Sequence, residues 1–261
     1  MQNCEVCTGK KWLPKIDKKT GLQAVHTNGN RVWLCWRCGN VQEELPNILA
    51  RDKRASASVL YVDIEVSLSE YYNYGGKVNS KHLDPDDLTH EYFIISWWAC
   101  YVDNPAKMWG KIVTLEQAQE RTDKYILQPL FDLMDSAAII AGHNVDGFDL
   151  KKINTRFLLN GISPVMGYDG KPKKTIDTLK IARSRFAFES NRLDNLCQRF
   201  GINGKDHVSK DDWRAILKGD QKTLNKVYKY NKGDVTNGVK LYEILAPYSG
   251  KPAHYGTLTL R

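Results

Sequence analysis

Four groups of side chains in this 261-residue sequence could do chemistry. Val59-Leu-Tyr-Val-Asp-Ile-Glu65 is an apolar run ending in two carboxylates at positions i and i+2. In an extended strand Val59, Tyr61, Asp63 and Glu65 share one face, and Leu60, Val62, Ile64 and Val66 share the other. Burying two like charges is costly unless something positive sits between them, so a divalent cation is one reading. A half-exposed edge strand with a polar face is the other. Gly142-His-Asn-Val-Asp-Gly-Phe-Asp149 brings a third acid into the first turn of an expected helix, where the helix dipole favours a carboxylate even without metal. In Tyr230-Asn-Lys-Gly-Asp234 the i, i+4 spacing aims a phenol and a carboxylate into the same space; an exposed acid beside Lys232 is the alternative. Lastly, Cys4-Glu-Val-Cys7 and Cys35-Trp-Arg-Cys38 offer four thiolates in two close pairs, the donor set of tetrahedral structural zinc. Two disulfides or a redox-active pair are the competing readings.

These groups need elements to position them. Residues 1–45 read as a zinc ribbon, with turns at Thr20-Gly21 and Asn28-Gly29-Asn30 and a strand in Arg31–Trp36. A piece this short lacks a sufficient core, so metal binding would supply folding free energy. Residues 46–56 read as a linker, 57–245 as the main domain and 246–261 as a C-terminal tail. The polar stretch 67–90 is too long for an ordinary connection and reads as an insertion. A very apolar strand is expected over Glu91–Val102, then an antiparallel one over Lys107–Leu115. Gln117–Met134 has helical spacing with Thr114 as N-cap, Ala137–Ala141 is a buried strand ended by Gly142, and Asp146–Asn160 is a helix stopped by Gly161. Asp146 could be no more than the N-cap of that helix. Thr175–Leu245 is expected to be mostly helical, with Asp177 as a capping or supporting acid, an apolar stripe at Leu193, Leu196 and Phe200, and a last helix over Gln221–Leu245. Gly233 weakens that helix by up to ~1 kcal/mol relative to Ala, which would make sense where backbones approach closely. Strands flanked by helices, with an early three-strand meander, indicate an α/β fold with a mixed sheet.

Composition limits the function classes. Hydrophobic content of 42% and charged content of 26% are those of a globular chain, and no apolar run reaches the ~18 residues of a membrane span. The net charge of +8 suits a polyanionic partner. The N-terminus lacks a signal-peptide layout, so an intracellular, cytoplasmic protein with reduced thiols is expected, and Cys100 and Cys197 read as buried packing residues. Lys10, Lys11, Lys15, Lys18 and Lys19 around Trp12, Lys171-Pro-Lys-Lys174, and Lys180, Arg183 and Arg185 are each either backbone contacts for nucleic acid or solvated faces, while Tyr71, Tyr72, Tyr74, Lys77 and Lys81 of 67–90 either touch nucleic acid or cover the sheet edge.

Asp63-Ile-Glu65, His143-Asn144 with Phe148-Asp149, and Tyr230-x-x-x-Asp234, in this order, resemble the three motifs of the DEDDy 3'-to-5' exonucleases, DnaQ-like members of the ribonuclease H-like superfamily. Asn191–Gly201 resembles the helix that precedes the last motif, and Lys229 stands where the histidine subfamily would need His. The resemblance covers about residues 57–245. The length of the 67–90 insertion and the N-terminal ribbon depart from the family pattern. It implies a ribonuclease H-like sheet and two Mg²⁺ or Mn²⁺ ions held by Asp63, Glu65, Asp149 and Asp234, besides the one structural Zn²⁺ on the cysteines. Glu65 and Tyr230 would position the attacking water, and His143, Asn144 and Phe148 would contact the terminal nucleotide. The implied reaction is hydrolysis of phosphodiester bonds from a 3' end, releasing nucleoside monophosphates. DNA with single-stranded 3' ends is the favoured substrate, in a bacterial or phage-infected cell, with a polymerase or a replication or repair protein as a possible partner. An RNA exonuclease, or a non-catalytic nucleic-acid-binding module on a nuclease fold, are the alternatives.

Overall fold

The computed structural model describes residues 58–72, 85–167, 170–202 and 208–250, and, before these, the backbone of three short strands. The chain divides into two compact units, Met1–Ser56 and Ala57–Arg261. In the first, β1 (Trp12–Pro14), β2 (Val32–Cys35) and β3 (Val41–Glu43) form an antiparallel sheet in the order β1-β2-β3. β2 falls within the predicted strand. Cys4, Cys7, Cys38, the side chain of Cys35, the lysines of this unit and the expected linker lie outside the described residues.

The second unit is built on β4 (Val59–Val66), the run with the paired acids. It sits at the centre of a five-stranded mixed sheet that also contains β7 (Ile94–Tyr101), β8 (Met108–Ile112), β9 (Ile139–Gly142) and β10 (Lys174–Asp177). The strand order is β10-β9-β4-β7-β8, with β10, β9 and β4 parallel and β7 and β8 antiparallel to their neighbours. Between β4 and β7, within the 67–90 stretch, β5 (Glu70–Tyr71) and β6 (Leu88–His90) form a separate two-stranded ribbon. Residues 73–84 of this stretch lie outside the described residues.

Strand alternation gives β4 two buried faces, and each has its own core. Leu60, Val62 and Ile64 pack with Ile126, Leu127, Leu130 and Met134 of α2 (Lys124–Ser136) and with Ile153 and Phe157 of α3 (Asp149–Leu159). Tyr61 faces the opposite way, among Ile176, Ile181 and Ala182 of β10 and α4 (Thr178–Arg185), Leu196 and Cys197 of α5 (Leu193–Arg199), and Val235, Val239 and Tyr242 of the last helix. Cys100 and Cys197 are free thiols in buried positions, as their apolar surroundings imply. That last helix is α7 (Gln221–Leu245), with the predicted bounds; it follows α6 (Lys210–Leu217) and leads into a 3-10 turn at Ala246–Tyr248. No described helix is long and apolar enough to cross a membrane.

Three local expectations are corrected. The stretch predicted as one helix from Gln117 is two, α1 (Leu115–Gln119) and α2, with Arg121 in the left-handed region at φ 57° between them. Thr114 does cap α1, in a capping box with Gln117. The break follows from Asp123. Its carboxylate is buried, accepts from the Ile94 backbone N–H at 2.9 Å, and takes a bidentate pair from Arg156 at 2.7 and 2.9 Å, so tertiary bonds override helical continuity. Secondly, Lys174–Asp177, within the mostly helical stretch, is a parallel strand beside β9. Thirdly, α3 begins at Asp149 rather than Asp146, because a turn precedes it; Asn144 there adopts φ 68°.

Candidate active site

β4 and α7 bring the predicted acids together. Asp63 and Glu65 lie on the β4 face that α7 covers, Asp234 lies on α7, and one ligand oxygen from each falls within 4.8 Å of the others. Asp63 and Glu65 are half-buried and Asp234 is 5% exposed. The register of β4 against β7 shifts between Glu65 and Val66, a bulge at the end of the acid pair. Three hard oxygen donors in so small a volume match the ligand preference of Mg²⁺ or Mn²⁺, so the donor set fits the cations implied by the resemblance.

Asp149 is adjacent but placed differently. It opens α3, is 3% exposed, and its Oδ1 accepts the backbone N–H of Ile64 at 3.2 Å, between the two acids of β4. Asp149 is not part of the 4.8 Å set. Burial pushes its carboxyl up to about 7, with the charges of Asp177 and Asp234 adding to the rise and the Ile64 N–H opposing it. Behind the acids, Tyr61 is buried, and its phenol is pushed well above its ordinary range, first by burial and then by the charges of Asp63, Asp149 and Asp234.

α7 reaches the sheet through a stripe of alternating three- and four-residue steps: Leu224, Val227, Asn231, Asp234, Gly238, Leu241 and Leu245, all buried. At Gly238 an added Cβ would overlap the Oη and Cζ atoms of Tyr61 and stand 2.7 Å from Cε1. Only glycine permits this approach, one turn after Asp234. The sequence had pointed to Gly233 for such a contact. Tyr230 is half-buried and one turn before Asp234, as its spacing predicts.

Sequence reasoning missed Asn231. It is completely buried, and its Nδ2 donates to Asp63 Oδ2 at 2.6 Å. The available signal was an amide in a stripe otherwise filled by apolar residues, the acid Asp234 and a glycine.

The turn before α3 works differently from the expectation. His143 has Nδ1 2.9 Å from Thr178 Oγ1 and Nε2 2.9 Å from the carbonyl oxygen of Asn191. Both ring nitrogens are therefore engaged within the protein, and the ring ties β9 to α4 and to the segment before α5 rather than presenting a donor to a ligand. Asp146 does not cap α3. Its carboxylate pairs with Lys180 at 2.7 Å, and Phe148 occupies the cap position. Asp177, predicted as a capping or supporting acid, accepts from Leu179 and Lys180 in α4 and from the backbone of Asn144 and Asp146, so it organises the turn as well as the helix. Asn144 packs its side chain against Gly147, while Phe148 is 37% exposed with the Lys152 ammonium 5.2 Å from its ring. Among the basic residues singled out in the sequence, Lys173 is buried and donates to the Asp135 carbonyl, so it is no surface contact.

Comparison with known proteins supports the same fold. A family model described as RNase_H superfamily matches residues 87–246, more than half of the chain. A DNA polymerase III PolC-type from Ureaplasma parvum serovar 3 is 29% identical over 116 residues, 44% of this chain and 8% of that protein. Protein NEN3 of Arabidopsis thaliana is 32% identical over 94 residues, 35% of this chain and 17% of that protein. The chain thus spans less than a fifth of either relative. Among solved structures, the family B DNA polymerase of the hyperthermophilic archaeon Pyrobaculum calidifontis superposes with a TM-score of 0.54 at 18% identity, over 73% of this chain and 25% of that one, a likeness of fold alone. With its mixed sheet, its flanking helices and a family match across most of its second unit, the chain belongs to the RNase H superfamily.

Proposed function

We propose that the chain is a metal-dependent nuclease, specifically a 3'-to-5' exonuclease of the DEDDy type acting on nucleic acid. The observation that carries this reading is the meeting of Asp63, Glu65 and Asp234, from two distant parts of the sequence, within 4.8 Å. Asp63, Glu65 and Asp234 would hold divalent cations, two Mg²⁺ or Mn²⁺ in the full site, with Asp149 as the fourth carboxylate. When bound, such cations polarise the scissile phosphate and make water a better nucleophile at neutral pH.

The remaining roles belong to side chains. Glu65 accepts a hydrogen bond from the attacking water and orients it. Tyr230, one helical turn from Asp234, holds the same water from the other side and acts as an orienting group. Asn144 and Phe148, on the turn before α3, contact the terminal nucleotide. In the N-terminal unit, Cys4, Cys7, Cys35 and Cys38 would hold one structural Zn²⁺. DNA is the favoured substrate because one of the sequence relatives is named a DNA polymerase, and the net charge of +8 fits a polyanion.

The test uses 5'-labelled single-stranded DNA, duplex DNA and RNA with full-length protein and Mg²⁺ or Mn²⁺. Stepwise shortening from the 3' end, lost with EDTA and in Asp63→Ala and Asp234→Ala, is expected. Binding without turnover in either metal would instead identify a non-catalytic nucleic-acid-binding module, and preferential shortening of RNA would assign an RNA exonuclease.

A further inference from the structure

We propose that Asn231 is a positioning residue of the acid site: it fixes the orientation of the Asp63 carboxylate, and Ser96 fixes Asn231 in turn. The inference rests on the metal-dependent reading above and adds two residues to which neither the motifs nor the acid cluster gives a role.

The hydrogen bonds define the device. Asn231 Nδ2 lies 2.6 Å from Asp63 Oδ2, and Asn231 Oδ1 lies 3.0 Å from Ser96 Oγ. An amide oxygen can only accept, so the Ser96 hydroxyl is the donor to it. That leaves the amide NH₂ directed at Asp63. The flipped amide would set its oxygen against a carboxylate oxygen, two acceptors face to face. The Asp63 carboxylate therefore specifies the amide orientation, and the Ser96 hydroxyl, which can donate or accept, donates to the oxygen that faces it. Ser96 stands opposite Glu65 in the β4–β7 register, so the relay Ser96–Asn231–Asp63 joins β7, α7 and β4 at the acid site.

Burial makes this relay costly to lose. Ser96 and Asn231 are both 0% exposed, and an amide in such a place is tolerated only when its polar atoms are bonded. Asn231 occupies a core position of the α7 stripe, where an apolar side chain would pack without needing partners. An amide there serves the carboxylate it faces. The bond to Asp63 is short and charge-assisted, the strong class of hydrogen bond. It also joins α7 to β4 one helical turn before Asp234, so one contact constrains the orientation of one acid and the approach of another.

Groups that orient a metal-binding carboxylate commonly change metal affinity by about 10- to 100-fold when removed. The test titrates Mn²⁺ alone into the full-length protein by calorimetry, for wild type, Asn231→Ala, the near-isosteric Asn231→Leu, and Ser96→Ala. Thermal unfolding is followed in parallel without metal. Both Asn231 variants are expected to weaken Mn²⁺ binding by about tenfold or more. Ser96→Ala is expected to weaken it by a smaller factor, and the double variant Ser96→Ala/Asn231→Leu to be no weaker than Asn231→Leu, since both act through one relay. In strand shortening, kcat falls and KM stays near the wild-type value. A lowered melting temperature with unchanged Mn²⁺ affinity in Asn231→Leu and Ser96→Ala overturns the assignment and leaves Asn231 a packing residue. Wild-type protein that binds no Mn²⁺ overturns the metal reading itself, and this inference with it.

Discussion

Gly238→Ala isolates the contact that sets how closely α7 approaches the acid strand. On helix propensity alone this change should stabilise a 25-residue helix by up to ~1 kcal/mol. The structure predicts the opposite. The new methyl would overlap Tyr61 Oη and Cζ and lie 2.7 Å from Cε1, against an ordinary carbon–carbon contact of about 3.5–4.0 Å. Tyr61 is 1% exposed and has no open side to move into, so the helix must recede by about 1 Å or the ring must leave its rotamer. Overpacking of this kind typically costs about 1–3 kcal/mol. Set against the full propensity gain, the variant should lose roughly 0–2 kcal/mol in urea unfolding followed by circular dichroism, instead of gaining ~1. Asp234 sits one turn away on the same stripe and moves with the helix, and a displacement of about 1 Å at a reacting site can reduce turnover by about 100-fold. Strand-shortening activity should therefore fall far more than stability. Tyr61→Leu/Gly238→Ala, which vacates the overlapping ring atoms, should regain part of both. A Gly238→Ala protein more stable than wild type, with full activity, would refute the packing argument.

Two further outcomes follow from the site's electrostatics and its turn. Unfolded, Asp149 ionises near ~3.9; folded without metal, burial keeps it protonated up to about 7. The folded state thus binds an extra proton across that window, and metal-free stability declines as pH rises from about 4 to 7. A cation beside the carboxylate removes this penalty, so Mn²⁺ should raise the melting temperature more at pH 8 than at pH 6, and equal shifts would contradict the burial argument. His143→Ala removes bonds to Thr178 and Asn191 without touching an acid; about 1–2 kcal/mol of stability should be lost while KM for a DNA strand stays within about twofold. A large KM increase with unchanged stability would return His143 to substrate contact.

Much of the acid site was legible because it lies on elements with strong local patterns. The alternation of Val59–Glu65 fixes which residues share a face, and the two cores on either side of β4 follow that division. The length and spacing of Gln221–Leu245 gave the last helix its bounds and put Tyr230 and Asp234 one turn apart. What stayed hidden depends on partners distant in sequence. Lys174–Asp177 is four residues long and becomes a strand through its parallel pairing with Ile139–Gly142. Asp123 interrupts a helical pattern because Ile94 and Arg156 claim its carboxylate. Asp146 resembles an N-cap, but Lys180 takes its side chain and Asp177 takes its backbone N–H. His143 belongs to a substrate-contact motif by resemblance, yet the positions of Thr178 and Asn191 decide what its nitrogens do. Asn231 needed only the stripe to be written out, since its neighbours at three and four residues are apolar or functional.

The central claim is that Asp63, Glu65 and Asp234 form one cation site in a nuclease. Crystals of the full-length protein soaked in Mn²⁺ and measured at a wavelength with strong manganese anomalous scattering test it most directly. The account predicts an anomalous peak bound by carboxylate oxygens of Asp63, Glu65 and Asp234, abolished in Asp63→Asn. Fully soaked crystals with no peak at these three side chains, or with the ion held by other residues, would contradict it.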